Sequence, residues 1–465
     1  MSGSTRRQME TATAAAPVLR GQGLDMQVVI LAGGKGARMG ALTERLPKPM
    51  LPLAGRPILE YQIELARRYG AREIILLTGH LGRVIEDYFG DGAARGVPIR
   101  CHRESQPLGT AGAIKQIERW IHGDFLVFYG DILMDVDLAR LADFHAARAP
   151  LATLVVHPNG HPQDSDLLEI DAQGRVTAFH PKPREAGRYF HNLVNAALYV
   201  ISPRLLQRVA PGQFSDLGRD VFPQIVQAGQ AVYGYNTPEY LVDIGTLDRL
   251  QQVERDVRSG KVARLNRAHS RRAVFVDRDG VLNLDMNHVR APEQLRLLPG
   301  VAEAVRRINA SEYLVVVVTN QPAIAKGFIS ECDLDRIHAK LETLLGEEGA
   351  YLDRIYYCPH HPDKGFAGER PEYKVSCDCR KPAPGMLLRA AVELNIDLGG
   401  SFMVGDRTTD LVAGRAAGCK TILLGRDAAP SDEDGACPPD FICADLAAAV
   451  REVLPLSAAQ RSRYA

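Results

Sequence analysis

The chain of 465 residues carries 56 Lys+Arg against 56 Asp+Glu and is 46% hydrophobic. At about 100–200 residues per domain this length predicts roughly two to four domains, and the balanced charge argues against nucleic acid or an anionic membrane as partner. Apolar runs such as Tyr313-Leu-Val-Val-Val-Val318 are far too short to span a bilayer. Eight unevenly spaced cysteines do not make a disulfide scaffold, so a reducing cytoplasm is the expected compartment.

Residues 1–25 contain Arg6 and Arg7 but no apolar core of a secretory signal, and they read as a disordered tail. A strand-like run, Gln27–Leu31, leads directly into Ala32-Gly-Gly-Lys-Gly-Ala-Arg38. Helical spacing over Glu60–Tyr69 is followed by a buried strand over Glu73–Leu77. Residues 251–271 read as a helix fading into a solvated linker, with a basic contact surface as the competing reading. A second strand, Arg272–Val276, runs into Asp277-Arg-Asp-Gly280, then a helix over Val301–Asn309 and a strand over Tyr313–Thr319. Continuous apolar strands alternating with helices predict parallel sheets covered on both faces. The expected architecture is α/β, with Rossmann-like domains over 26–250 and 272–455 and a second tail over 456–465.

In the first half, Gly33, Gly34 and Gly36 directly follow a strand, where backbone N–H groups can approach a pyrophosphate. A ligand-free βα turn explains such a loop equally, and its spacing fits neither the dinucleotide fingerprint nor the GxxxxGK[ST] loop. Lys48 stands between two prolines in Leu46-Pro-Lys-Pro-Met-Leu-Pro52, a stiff support for a charge near phosphate. Asp131 ends the apolar run Phe125-Leu-Val-Phe-Tyr-Gly-Asp131, and Asp243 lies in Leu241-Val-Asp-Ile-Gly-Thr246. Carboxylates at strand ends suit Mg²⁺, although a helix-capping role also fits Asp131.

The ordered set LAGGKGARM, LPKPMLP, PLGTAGAI, FYGD, NAALYV and DIGT resembles the sugar-1-phosphate nucleotidyltransferases over about Gln27–Leu250. The resemblance implies a GT-A-like mixed sheet. It also implies that Gly33, Gly34, Gly36 and Arg38 hold a nucleoside triphosphate and that Lys48 stabilises charge during transfer. Gln106 to Thr110, including Gly109, would line the base pocket. Asp131 and Asp243 would hold Mg²⁺, Asn195 the sugar and Lys182 the sugar phosphate. Pro181 replaces the glutamate that the family usually has before Lys182, which removes an acceptor for hexose hydroxyls.

In the second half, Asp277 and Asp279 at a strand tip can serve as nucleophile and general acid/base with Mg²⁺ screening the phosphate, and a solvated acidic turn is the competing reading. Thr319 and Asn320, then Lys381, then Asp406 follow at later strand or loop ends, an order that resembles the haloacid-dehalogenase-like phosphatases. The resemblance implies attack by Asp277, proton transfer by Asp279, and phosphoryl binding by Thr319, Asn320 and Lys381. Mg²⁺ would rest on Asp277, Asp406 and the carbonyl of Asp279, with Asp410 supporting the loop.

Cys358-Pro-His360 and Cys377-Asp-Cys379, 16 residues apart, make a closed structural Zn²⁺ set that runs into Arg380-Lys381, with His361 as the competing imidazole. Isolated packing cysteines are the alternative. The second half resembles the heptose-bisphosphate 7-phosphatases over nearly all of 272–454, with histidinol-phosphate phosphatases as the neighbouring possibility.

Together the halves imply activated-heptose synthesis for a surface glycan. A 7-phosphate would be removed from D-glycero-D-manno-heptose 1,7-bisphosphate, and a nucleotide then transferred to the heptose 1-phosphate. GTP is expected from the heptose branch of the transferases, and Gln106 suits guanine, uracil or thymine alike. The competing reading is a histidinol-phosphate-type phosphatase with a nucleotide-sensing domain. Partners are sugar phosphates and a nucleotide, without nucleic acid or membrane, and a homo-oligomer is left open.

Overall fold

The computed structural model describes residues 24–34, 36–185, 187–425 and 438–454. Two sheets dominate. In the first, of nine strands, Gln27–Ala32 lies parallel between Glu73–Thr78 and Phe125–Tyr129. Val28, Val29 and Ile30 are each wholly buried, so both faces of this strand are covered, which explains its unbroken apolar run. The strand Val194–Ile201 joins antiparallel to Phe125–Tyr129 and makes the sheet mixed. The helix Ile58–Arg68 falls where helical spacing predicts it and buries Leu59 and Ile63 against this sheet's core.

The second sheet is six-stranded and parallel throughout, in the order 354–358, 313–320, 272–276, 402–405, 420–424, 441–443. Its central strand, Arg272–Val276, pairs Val276 with Val317 on one side and Val404 on the other. That register alone brings Asp277, Thr319 and Asp406 to one edge. The helix Glu331–Glu347 starts at a capping box, in which Ser330 accepts from Asp333 N at 3.1 Å and Asp333 accepts from Ser330 N at 2.9 Å.

The segment 251–271 differs from the solvated linker expected of it. Helix Leu247–Ser259 turns at Gly260 into the short helix Lys261–Arg264. Val253 and Leu265 of this segment belong to one apolar cluster with Leu53, Ile58 and Leu133 of the first half and Phe275, Leu314 and Leu387 of the second. Its cations are used in contacts: Lys261 donates to the carbonyl of Asn309 at 2.8 Å, and Arg271 Nε to that of Leu394 at 3.0 Å. A count of charges cannot distinguish such a buried seam from a solvated one, because long basic side chains bury their stems.

Leu24 N donates to the carbonyl of Tyr69 at 2.8 Å, so chain packing already includes the end of the expected first tail. Residues 1–23 and 455–465 lie outside the described residues. Among the described residues no helix is long and apolar enough to cross a membrane.

Candidate active sites

The parallel register Leu31↔Tyr129 sends Gly33-Gly34 and Gly130-Asp131 off the first sheet side by side. Lys48 lies in a 3-10 turn, Lys48–Met50, and its buried ammonium is 2.5 Å from Asp131 Oδ2. Gly33, Gly34, Gly36, Lys48, Asp131, Gly109 and Thr110 line one cavity of about 480 Å³. The Arg38 side chain lies outside the described residues. Gln106 is exposed and does not line this cavity, whereas Glu104 does. A Cβ on Gly33 would stand 2.9 Å from Glu104 Oε2, so the glycine is what admits this carboxylate. Burial pushes the Glu104 carboxyl above its usual range, against a bond from Leu108 N. Glu104 was legible in principle, because it is the first residue beyond the strand Ile99–Arg103, where strand-tip logic looks for ligands.

A second cavity, of about 310 Å³, adjoins the first at Asp131-Ile132 and is lined by Asn195, Lys182, Asp243, Arg249, His157 and His161. Asp243 pairs across an antiparallel ladder with Ile132, and Ile244 N donates to the carbonyl of Asp131 at 2.8 Å. The two carboxylates therefore leave neighbouring strands, one toward each cavity. Arg249 Nη1 is 2.5 Å from Asp243 Oδ1. Lys182 is exposed, with its ammonium turned onto the carbonyl of Asp164. Burial holds the His157 imidazole neutral, with its pKa down to about 4. Arg249 and the two histidines carry no local sequence signal; the fold brings them in.

At the tip of the second sheet, Asp277, Asp406 and Asp410 place carboxylate oxygens within 4.8 Å of one another. Lys381 Nζ stands 2.9 Å from Asp277 Oδ1 and 2.6 Å from Asp410 Oδ1, as an ionic contact without aligned hydrogen bonds. Burial raises the Asp277 carboxyl, with Lys381 opposing and Asp410 adding to the rise. Burial together with Asp277 and Asp410 pushes Asp406 up to about 6. Despite burial, the two aspartates keep Lys381 charged. Asp410 thus stands inside the carboxylate cluster as well as capping its helix, through Arg407 N at 3.1 Å. Its loop-supporting role is only half of its place. Gly280, at φ +84°, is required twice over, since a Cβ there would lie 2.1 Å from Asp406 Oδ2.

Asp279 turns its side chain away from that cluster. It accepts from Arg278 Nη2 at 2.7 Å, Asn283 Nδ2 at 2.9 Å and Gln321 Nε2 at 2.9 Å. Burial opposes its charge, yet Arg278, Asn283 and Gln321 hold it below the usual carboxylate range. The resting side chain is therefore a base that lines the phosphatase cavity from within this cradle, and it must take up a proton before it can deliver one. Asn320 and Lys381 exchange backbone-to-side-chain bonds of 3.0 Å each, which fixes the lysine loop against the strand tip. Thr319 is buried and accepts from Gln321 Nε2 at 3.0 Å. Asp277, Asp279, Asn320, Arg380, Lys381 and His288 line a cavity of about 250 Å³.

Cys358, His360, Cys377 and Cys379 converge beside it, with contacts of 3.2–3.7 Å between sulfurs and His360 Nδ1. Four donors around Zn²⁺ at about 2.3 Å have edges of about 3.8 Å, so the set fits that ion with little contraction or expansion. Burial, with Cys377 and Asp378 adding and Cys358 opposing, pushes Cys379 up to about 11, a crowding that a cation relieves. His361 instead faces Asp363 and the ring of Phe366. Arg380 Nη1 donates to the carbonyl of His360 at 3.2 Å and ties this knot to the phosphate-side loop.

Residues 27–260 match the family described as nucleotidyl transferase, and residues 378–449 match the HAD-hydrolase-like family. The D-glycero-beta-D-manno-heptose-1,7-bisphosphate 7-phosphatase of Pasteurella multocida (strain Pm70) is 43% identical over 178 residues, 38% of this chain and 94% of that protein. The UTP–glucose-1-phosphate uridylyltransferase of Synechocystis sp. is 29% identical over 62% of this chain and 78% of its own length. The mannose-1-phosphate guanylyltransferase of Mycobacterium tuberculosis is 36% identical over 48% of this chain and 61% of its own length.

Proposed function

Since the chain belongs to the nucleotidyl transferase family through its first half and to the haloacid-dehalogenase-like phosphatases through its second, we propose that it carries out consecutive steps of heptose activation. The first step hydrolyses the 7-phosphate of D-glycero-D-manno-heptose 1,7-bisphosphate. Asp277 attacks phosphorus as the bond to the sugar oxygen breaks, and Asp279, having first taken up a proton from solvent, gives that proton to the leaving oxygen. The Asp279 carboxylate then takes a proton from the water that cleaves the aspartyl phosphate and releases inorganic phosphate. Lys381, Thr319 and Asn320 hold the phosphoryl oxygens, and Arg380 faces the rest of the substrate.

Asp406 leaves a buried oxygen without a hydrogen bond beside the carboxylates of Asp277 and Asp410, and this set with the carbonyl of Asp279 fits Mg²⁺. When bound, that ion neutralises charge on the phosphate. Zn²⁺ on Cys358, His360, Cys377 and Cys379 is structural and orders the loop that carries Arg380 and Lys381.

In the second step the heptose 1-phosphate attacks the α-phosphorus of a nucleoside triphosphate and pyrophosphate leaves. Amides of Gly33, Gly34 and Gly36 with Lys48 and Arg38 hold the triphosphate, and Gly109 and Thr110 face the base. Asn195 and Lys182 receive the sugar phosphate, and Asp131 with Asp243 suits Mg²⁺ between the two cavities. GTP is the proposed nucleotide. The N1–H and N2–H₂ edge of guanine matches the two acceptor oxygens of Glu104, whereas uracil or thymine would set carbonyls against them. These substrates place the work in the cytoplasm.

The observation that carries this reading is a carboxylate cluster around Lys381 and a glycine-loop cavity holding Lys48, Asp131 and Glu104 on one chain. A release assay tests it, with the heptose bisphosphate and histidinol phosphate compared for phosphate, and GTP, ATP, CTP, UTP and dTTP compared for pyrophosphate. The expected result is preference for the heptose and for GTP. Preference for histidinol phosphate overturns the first step, and preference for ATP or dTTP the guanylyl assignment.

A further inference from the structure

Resting on the phosphatase reading above, we propose that His338 is a positioning residue for the acid–base carboxylate Asp279 and acts on it through Arg278. Arg278 is wholly buried, so each of its guanidinium donors needs a partner inside the protein. One edge is a fork on Asp279: Nε lies 3.2 Å and Nη2 2.9 Å from Oδ1, and Nη2 lies 2.7 Å from Oδ2. The other edge meets His338 Nε2 at 3.3 Å from Nη1, with both residues buried.

An arginine has no acceptor, so the bond requires a lone pair on Nε2 and hence a neutral imidazole. Burial, together with the charges of Arg278 and His191, keeps His338 neutral. The guanidinium is thereby held at both ends, and its angle sets where the carboxylate of Asp279 rests. His338 does not line the phosphatase cavity, so its influence on the reaction passes through Arg278.

The support behind His338 is firm. It lies in the capped helix Glu331–Glu347, with its ring centroid 5.9 Å from that of Tyr357. Asp335 and Glu342, three residues before and four after it on the same helical stripe, both pair with His191 of the first half, Asp335 Oδ1 at 3.0 Å from His191 Nε2. A site is as well placed as the groups that hold its side chains, and here those groups come from both halves of the chain.

The test uses the full chain with D-glycero-D-manno-heptose 1,7-bisphosphate. His338→Met keeps bulk and removes the acceptor, whereas His338→Gln keeps an acceptor at similar reach. For the Met variant, kcat for phosphate release falls on the order of ten- to a hundredfold, as for a misplaced catalytic group, with KM within about twofold. The Gln variant recovers most of that kcat, and pyrophosphate release is unchanged in both. Equal kcat in the Met and Gln variants, with zinc content and melting temperature as in wild type, overturns the inference alone. A Met variant whose loss lies in KM also overturns it. A wild-type protein that releases no phosphate overturns the phosphatase reading and this inference with it.

Discussion

At the tip of Arg272–Val276 three carboxylates crowd around one buried ammonium, whereas at the tip of Gln27–Ala32 a single Lys48–Asp131 pair stands in a wider cavity. The first arrangement adjoins a cavity of about 250 Å³ that Arg380 and Arg407 also line, and the second opens into about 480 Å³, where Glu104 and Asp216 add two further carboxylates. On the proposed reading a small phosphoryl group would be met at a point, where a divalent cation would complete the charge. On the same proposal, an extended triphosphate would be met by a run of glycine amides, which distribute partial charge along it without desolvating more ions. On the reading proposed above, one chain handles phosphate in two ways, at a tight carboxylate–lysine cluster and at a wider glycine loop.

The largest expected effect comes from removing metal beside the cluster. Structural zinc contributes roughly 10 kcal/mol or more to folding in small domains, so Cys377→Ser should remove zinc and unfold the second half's loop. Metal analysis and limited proteolysis check this, and phosphate release should vanish with the metal while pyrophosphate release persists. Next comes the base: Glu104→Gln should move the GTP-to-UTP ratio of kcat/KM by about ten- to a hundredfold toward UTP, read by competing the two nucleotides. An unchanged ratio would mean that backbone groups alone read the base.

A smaller, pH-dependent effect separates the sites directly. Asp406 is raised to about 6, above the usual aspartate range, so its proton is bound more tightly in the folded protein. In the metal-free protein, stability from this group is present at low pH and is lost as pH rises through about 6. Mg²⁺ needs the ionised form, so its affinity at the phosphatase site should fall by about tenfold or more per pH unit below 6 and level off above it. Magnesium titrations of phosphate release across that range measure this.

The smallest effect concerns the seam between the halves. Although burial opposes its charge, Glu342 and Asp335 push His191 up to about 10. Its stabilisation is complete below the unfolded histidine value and is lost as pH rises through about 10. His191→Asn should therefore lower stability by on the order of 1 kcal/mol near pH 6 and by progressively less toward pH 10, as thermal melts would show.

Much of this was legible because both sites hang on strand tips. Asp131, Asp277 and Asp406 each end an apolar run, and parallel register fixes where those ends meet. The convergence of Cys358, His360, Cys377 and Cys379 was legible from spacing, since two close pairs need only one loop to bring them together. Asp410 supports its loop by a helix cap as expected, and the fold also brings it beside Asp277 and Asp406, which its local sequence does not signal. Gln106 is exposed and does not line the glycine-loop cavity, whereas Glu104 does, beside a Gly33 that has no side chain to block it. The seam over 251–271 was hidden for a different reason. Val253, Leu265 and their basic neighbours look like a surface helix until two separate halves close on them.

The central claim, that two independent phosphate chemistries share one chain, is tested most directly by two substitutions assayed for both activities. Asp277→Asn should lower phosphate release by about 10³-fold or more while pyrophosphate release from heptose 1-phosphate and GTP stays near wild type, and Asp131→Ala should do the reverse. Loss of both activities in either variant, with its melting temperature unchanged, would contradict the account.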